Sequence, residues 1–133
     1  MVEFTARSFG FEEDEDDEVL EVGVAESADG GGVVLLIQRA TYDPDEQDVN
    51  LGLDSYCLVS DGRTHYGGVV RAARVGEELQ LDMSSEAADT LDLDARVRIR
   101  LDGPEEQVEV FFRGLRTVLD WGRSADRPEM VGF

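Results

Sequence analysis

The sequence predicts an α+β fold: a mostly antiparallel β-sheet, a short helix near 85–91 and a C-terminal helix near 104–121 packed on the sheet. Three observations lead there. Short runs of β-forming residues alternate between apolar and polar, as in Leu20-Glu21-Val22-Gly23-Val24 and Leu79-Gln80-Leu81-Asp82-Met83. Turn chemistry separates these runs, notably Ser27 to Gly32 and the hairpin dipeptide Asp61-Gly62, which suits a turn needing φ > 0 at both central residues. The clearest helical stripe comes late, after Asp102-Gly103-Pro104. An antiparallel sheet of about six to eight strands follows from this spacing.

Taken in order, Val2, Phe4, Ala6 and Ser8 alternate with Glu3, Thr5, Arg7 and Phe9, which predicts one strand with an apolar face. Glu12 to Glu18 is an unbroken run of seven acidic residues, whose mutual repulsion predicts an exposed hairpin loop. Leu20, Val22 and Val24 face inward in a second strand. Val33 to Ile37 is apolar on both faces and predicts a central strand covered on two sides. Thr41 to Asn50, with Pro44 and mostly polar or acidic residues, reads as a long loop.

Tyr56 to Val59, then, after the turn, His65-Tyr66 running into Gly67-Gly68, Val69 to Val75, and the alternating Leu79, Leu81 and Met83 read as paired strands around a Tyr-Gly-Gly corner. Gly67-Gly68 between them marks a bulge or a close approach, because adjacent glycines weaken a strand interior. Ser84 caps a short helix carrying Ala87, Ala88 and Leu91. Val97, Ile99 and Leu101 form one face of a strand and Arg96, Arg98 and Arg100 the other. That arginine row requires acids opposite, and a neighbouring strand bearing Glu78 and Asp82 would supply them. In the last helix Val108, Phe111, Phe112, Leu115, Val118 and Leu119 share a stripe, acids sit at its start, Arg116 and Arg123 near its end, and Gly122 stops it. A second stripe, Val110, Gly114, Thr117 and Trp121, has two readings. The tail (Pro128, Met130, Val131, Phe133) folds back over Trp121, or Val110 and Trp121 mark a secondary protein interface.

The 133 residues fit a single domain, with 122–133 as a tail. Thirty-one acidic residues against 12 basic ones, all arginine, give a net charge of −19. Such a chain is a poor partner for nucleic acid, whose phosphates require clustered cations. It suits a basic partner, solubility, or a salt-loving cell. One cysteine favours a reducing compartment, and neither a signal peptide nor an apolar run long enough to span a bilayer is visible, so a cytoplasmic location is expected.

Chemistry-bearing motifs are sparse. His65 is the single histidine, and Cys57 is the only thiol that could face it across the hairpin. A pocket near Cys57, His65 and Tyr66, serving an enzyme or a small-ligand binder, is therefore the alternative functional class. Self-association through Trp121 is a third, although a monomer is favoured. Asp43, Asp45, Glu46 and Asp48 read as a solvated acidic loop before a cation site, and Gly30-Gly31-Gly32 precedes a strand and so is no phosphate loop. No catalytic, cofactor or metal residue is assigned. The acidic loops have one reading that uses their charge. Glu13, Asp14, Glu15, Asp16 and Asp17, with Asp45, Glu46 and Asp48, would meet a basic protein site by imitating phosphate, with salt-sensitive steering.

Several blocks together resemble a known family. They are Glu46-Gln47-Asp48, Leu51-Gly52-Leu53-Asp54-Ser55-Tyr56-Cys57, Thr64-His65-Tyr66-Gly67-Gly68-Val69, and Ala87-Ala88 with Leu91-Asp92-Leu93. The chain from Phe4 to about Leu119 is similar to the tenth immunity-protein family, mostly-β proteins of bacterial polymorphic toxin systems. The resemblance implies a cytoplasmic, non-enzymatic inhibitor that protects its producer from a cognate toxin domain, a nuclease being one candidate. It locates no contact surface. Gly52, Tyr56, Tyr66, Gly67 and Gly68 match the family pattern and are read first as scaffold.

Overall fold

The computed structural model describes residues 2–29, 32–41, 46–47, 55–121 and 127–133. The strands are β1 (Val2–Ala6), β2 (Ser8–Asp14), β3 (Val19–Ala25), β4 (Val34–Ala40), β5 (Cys57–Ser60), β6 (Arg63–Tyr66), β7 (Val69–Val75), β8 (Glu78–Met83), β9 (Arg96–Leu101) and β10 (Glu129–Val131). Helix α1 (Ser85–Leu91) lies between β8 and β9, and α2 (Glu105–Leu119) lies between β9 and β10. The α+β, mostly antiparallel architecture is as expected. It is built from two five-stranded sheets, however, with orders β1-β9-β8-β7-β10 and β2-β3-β4-β5-β6. Two pairings, β1 with β9 and β10 with β7, are parallel.

The division into two sheets has a local cause at each of two corners. The expected first strand breaks at Arg7, where Asp102 N–H donates to the Ala6 carbonyl and Arg7 N–H to the Ala25 carbonyl, both at 3.0 Å. The chain thus leaves β9 and joins β3. Its inward phase slips by one residue there: Ala6 is fully buried, Ser8 is exposed, and Phe9 and Phe11 take the inward positions. The second corner is Gly67-Gly68, with φ of 71° and 100°. It turns the chain from the edge of one sheet into the interior of the other, in a left-handed conformation that side chains disfavour.

Inward residues of both sheets and α2 form one core. Val22, Val24, Leu35, Ile37 and Leu58 come from the second sheet, and Leu79, Leu81, Val97, Ile99 and Leu101 from the first. The expected stripe Val108, Phe111, Phe112, Leu115, Val118 and Leu119 is buried throughout, against β2, β3 and β4. The apolar pattern of α2 was therefore sufficient to find its buried face. Its second stripe is not one surface. Gly114 is buried beneath the Phe11 ring, which leaves no room there for a Cβ. The helix ends at Leu119, so Trp121 lies beyond it. Gly122 and Arg123 lie outside the described residues.

The described end of the tail packs on the first sheet and the core. Glu129, Met130 and Val131 pair with Arg71, Ala72 and Ala73, and Phe133 stacks edge-on with Phe112 at 5.6 Å. A three-residue strand is stable here because it extends an existing edge and adds two apolar side chains, Met130 and Phe133, to the core. The expectation of a Ser84 cap holds, with Ala87 N–H donating to Ser84 Oγ at 3.2 Å. Asp61 and Gly62 have φ of 50° and 76°, as their hairpin turn requires.

The arginine row finds its acids. Arg96, Arg98 and Arg100 pair in register with Asp82, Gln80 and Glu78 of β8, and Arg98 also lies opposite Glu3 of β1. Arg96–Asp82 and Arg98–Glu3 approach to 3.9 and 3.8 Å. These are exposed pairs, so their chief effect is to relieve repulsion along β9. Arg74 behaves differently: its guanidinium lies over the Phe112 ring at 4.4 Å and forks onto both carboxylate oxygens of Glu109. That hydrogen bonding holds the Glu109 carboxyl below its ordinary range.

Candidate protein-binding surface

The second sheet turns one face to the core and one away. Register places its outward residues in rows. Glu12, Glu21, Gln38, Cys57 and Tyr66 form one row, and Gly10, Gly23, Leu36, Val59 and Thr64 form the next. Gln38 Nε2 donates to Glu21 Oε2 at 2.8 Å, and the Cys57 thiol reaches Gln38 Oε1 at 3.7 Å. The expected coverage of β4 on both sides is not complete. Leu35 and Ile37 are buried inward, while Val34 and Leu36 remain half-exposed on the outer face.

The acidic run is partly strand. Glu12, Glu13 and Asp14 belong to β2, and the turn occupies only Glu15 to Glu18. Repulsion does not prevent this, because β2 is an edge strand whose acids all face water, where a pair of charges interacts by only about 1 kcal/mol. Asp14 Oδ1 accepts from the backbone N–H of Asp16 and of Asp17, both at 3.1 Å, and Glu18 takes a positive φ of 56° to close the hairpin. Of the second acidic group, Glu46 is exposed with helical backbone. Asp43, Asp45 and Asp48 lie outside the described residues, as does Gly52.

At the hairpin end of this face, Asp17, Glu18, Gln38, Cys57, Tyr66 and Trp121 border a depression of about 200 Å³. Tyr66 is 46% exposed, unlike Tyr56, which is fully buried. Arg39 lies over the Trp121 ring at 5.4 Å. Ser55 Oγ is buried at this rim without a hydrogen-bond partner among the described residues. The structure therefore gathers part of the acidic turn with Tyr66 and Trp121. Val110, 45% exposed on α2, is not among the residues bordering this depression.

The thiol–imidazole pair does not form. Cys57 pairs with Tyr66 and Leu58 with His65, so Cys57 and His65 point to opposite faces of the sheet. Burial, and then the carboxylate of Glu21, push the Cys57 thiol above its ordinary value. Thiolate, the reactive form, is scarce at neutral pH. Iodoacetamide should alkylate Cys57 several times more slowly than a free-cysteine peptide at pH 8, until denaturant restores the ordinary rate; mass spectrometry of quenched samples reads both. Equal rates in the folded state would refute the burial argument.

His65 instead braces the corner, its Nδ1 lying 3.2 Å from the Gly67 carbonyl, a contact that requires the proton on Nδ1. Tyr56 ties the corner from inside. Its hydroxyl accepts from Val69 N–H at 2.9 Å and donates to the Val69 carbonyl at 3.3 Å, while Gly67 N–H donates to the Tyr56 carbonyl at 2.8 Å.

The outward rows were the part the linear sequence concealed, although a usable signal existed. A hairpin closing between Asp14 and Val19 pairs Gly10 with Gly23 and Glu12 with Glu21. Among the described residues, no helix is long and apolar enough to cross a membrane, and no group of three or more His, Cys, Asp or Glu side chains is arranged to hold a metal ion.

A family model described as immunity protein 10 matches residues 5–109, well over half of the chain. No curated protein and no solved structure matches.

Proposed function

The chain belongs to the immunity protein 10 family, and on that premise we propose that it binds a cognate toxin domain in the producing cell and neutralises it as a non-enzymatic inhibitor. The observation that carries this reading is how charge divides between the two outer sheet faces. On the first sheet, Arg71, Arg96, Arg98 and Arg100 are interleaved with Glu3, Glu78, Asp82 and Glu129. On the second, the outward charged positions among the described residues are Glu12, Asp14 and Glu21, continuing into the acidic turn. Within a chain of net charge −19, this concentrates unbalanced negative charge at one side.

Such a side fits a basic protein surface, for instance the phosphate-binding site of a nuclease. Attraction over a Debye length of about 8 Å at physiological salt speeds encounter and selects against acidic partners. Glu13, Asp14, Glu15, Asp16 and Asp17 are the proposed contacts at the hairpin tip, with Asp45, Glu46 and Asp48 as a second acidic group. The protein acts as a cytoplasmic monomer and contacts neither nucleic acid nor membrane.

Co-expression tests this reading. A strain carrying an inducible toxin domain encoded beside this chain's gene should survive only when the chain is also produced. Amide replacement of Glu13 to Asp17 should reduce protection at equal protein level. Cell death at full expression of the unaltered chain would count against the immunity role.

A further inference from the structure

We propose that the outer face of the second sheet, centred on a notch over Gly10 and Gly23, receives an apolar side chain projecting from a cationic protein surface. This deepens the immunity reading and rests on it. The notch arises from pairing. Gly10 and Gly23 are directly opposite one another on adjacent strands, so two successive outward positions carry no side chain. Leu36, paired with Gly23, walls one side, and Glu12 and Glu21, paired with each other, form the adjacent row. The resulting depression measures about 220 Å³, room for one side chain of leucine or phenylalanine size and below the usual range of small-molecule pockets.

The two glycines differ in a way that argues for a surface feature. A Cβ on Gly23 would lie 2.8 Å from Leu36 Cδ2, so internal packing alone accounts for that glycine. A Cβ on Gly10 would meet nothing within 4 Å. Its φ is not positive, so the backbone does not require glycine either. Glycine in a strand interior costs stability relative to a β-branched residue, and here neither packing nor conformation compensates. An open cleft remains, bordered by Leu36 and Val34 on one side and by Glu12 and Glu21 on another.

Charge identifies the occupant. Among the described residues, the outward strand positions of this sheet carry acids and no arginine, whereas the outward face of the other sheet carries arginines matched with acids. An apolar anchor flanked by lysine or arginine satisfies both the notch and its rim. An interface of this kind has a desolvated apolar centre and a charged periphery.

The test is titration calorimetry of the full chain and its variants against the toxin domain encoded beside its gene. Gly10→Val fills the notch from a site with free space and favours strand backbone, so its melting temperature should equal or exceed that of the unaltered chain. Its affinity should fall roughly 30-fold or more, the loss typical of a central anchor. Glu12→Gln with Glu21→Gln is the second variant. It should weaken binding and flatten its salt dependence, whether or not Gly10→Val folds well. If the unaltered chain binds and both variants bind equally well, the notch is not the contact surface, while the immunity reading stands. If the unaltered chain does not bind, the immunity reading itself fails and the notch with it.

Discussion

Replacing Phe111 with alanine should lower the unfolding free energy by roughly 3–5 kcal/mol, the range for a buried aromatic side chain. Phe111 is 1% exposed and stands where the two sheets and α2 meet. It borders the same small interior space as Val22, Ile37, Leu79 and Ile99, so its loss opens a void touching both sheets. It also makes edge-to-face contacts with Phe9 at 5.9 Å and Phe112 at 5.5 Å. Pairs of this kind contribute about 0.5–1.5 kcal/mol beyond area burial. Strand β2 leans on α2 through Phe9 and Phe11 and cannot follow a collapse without breaking its pairing with β3, so the void should persist. Urea unfolding followed by far-ultraviolet circular dichroism measures the change. Val110→Ala on the exposed side of the same helix should stay within about 0.5 kcal/mol and serves as the control. Alanine raises helix propensity at either position, so a similar loss for both would show that the burial of Phe111 was not being read.

Gly68→Ala is the second large effect, and here the backbone dominates. Gly68 has φ of 100°, where a side chain is strained by about 1–3 kcal/mol. A Cβ there would also lie 2.6 Å from Ala87 Cβ on α1 and 3.0 Å from His65 Nδ1. Overpacking of this kind adds about 1–3 kcal/mol. Neither neighbour retreats easily. Ala87 is fully buried, and Ser84 N–H donates to the Gly68 carbonyl at 2.8 Å, which fixes the start of α1 against the corner. The two contributions separate experimentally. In an Ala87→Gly background the collision with Ala87 disappears, while the His65 contact and the φ strain remain, so the double variant should be more stable than the sum of the single losses by at least about 1 kcal/mol. Strict additivity would mean that the corner relaxes and the close approach carries no energy.

Both effects arise at places the sequence reveals unequally. The α2 stripe, the β9 arginine row and the Asp61-Gly62 turn were legible because each is decided by neighbours in the chain or by an alternation with one outcome. Gly67-Gly68 was visible as an irregularity, but its use as a passage between sheets depends on Ala87, nineteen residues later. The Arg7 corner was harder. Its signal was a single phase slip, Phe9 and Phe11 following Phe4 and Ala6, and the extended pattern hid it behind a run of alternating residues. The pairing of β10 with β7 was illegible for an energetic reason: three residues have no strand preference worth the name until an edge is offered to them.

The surface was legible in its charge and hidden in its geometry. A string of acids shows that a basic partner is favoured, and nothing in the string says that Asp17 and Glu18 stand beside Tyr66 and Trp121. Those contacts follow from the order of strands in the second sheet, which composition does not encode. Reading Trp121 as a helical residue had the same origin, since the periodicity of α2 runs on past the Asp120 cap. Cys57 and His65 looked like a pair because eight residues and a tight turn separate them. A shift of one register position was enough to put them on opposite faces.

The central claim is that this chain captures a toxin domain through an acidic face. Calorimetric titration of the unaltered chain against the toxin domain encoded beside its gene, at low and at high salt, tests it most directly. The expected result is stoichiometric nanomolar binding that weakens steeply as salt rises. No binding at either salt would contradict the immunity role, and tight binding indifferent to salt would contradict the acidic face as its means.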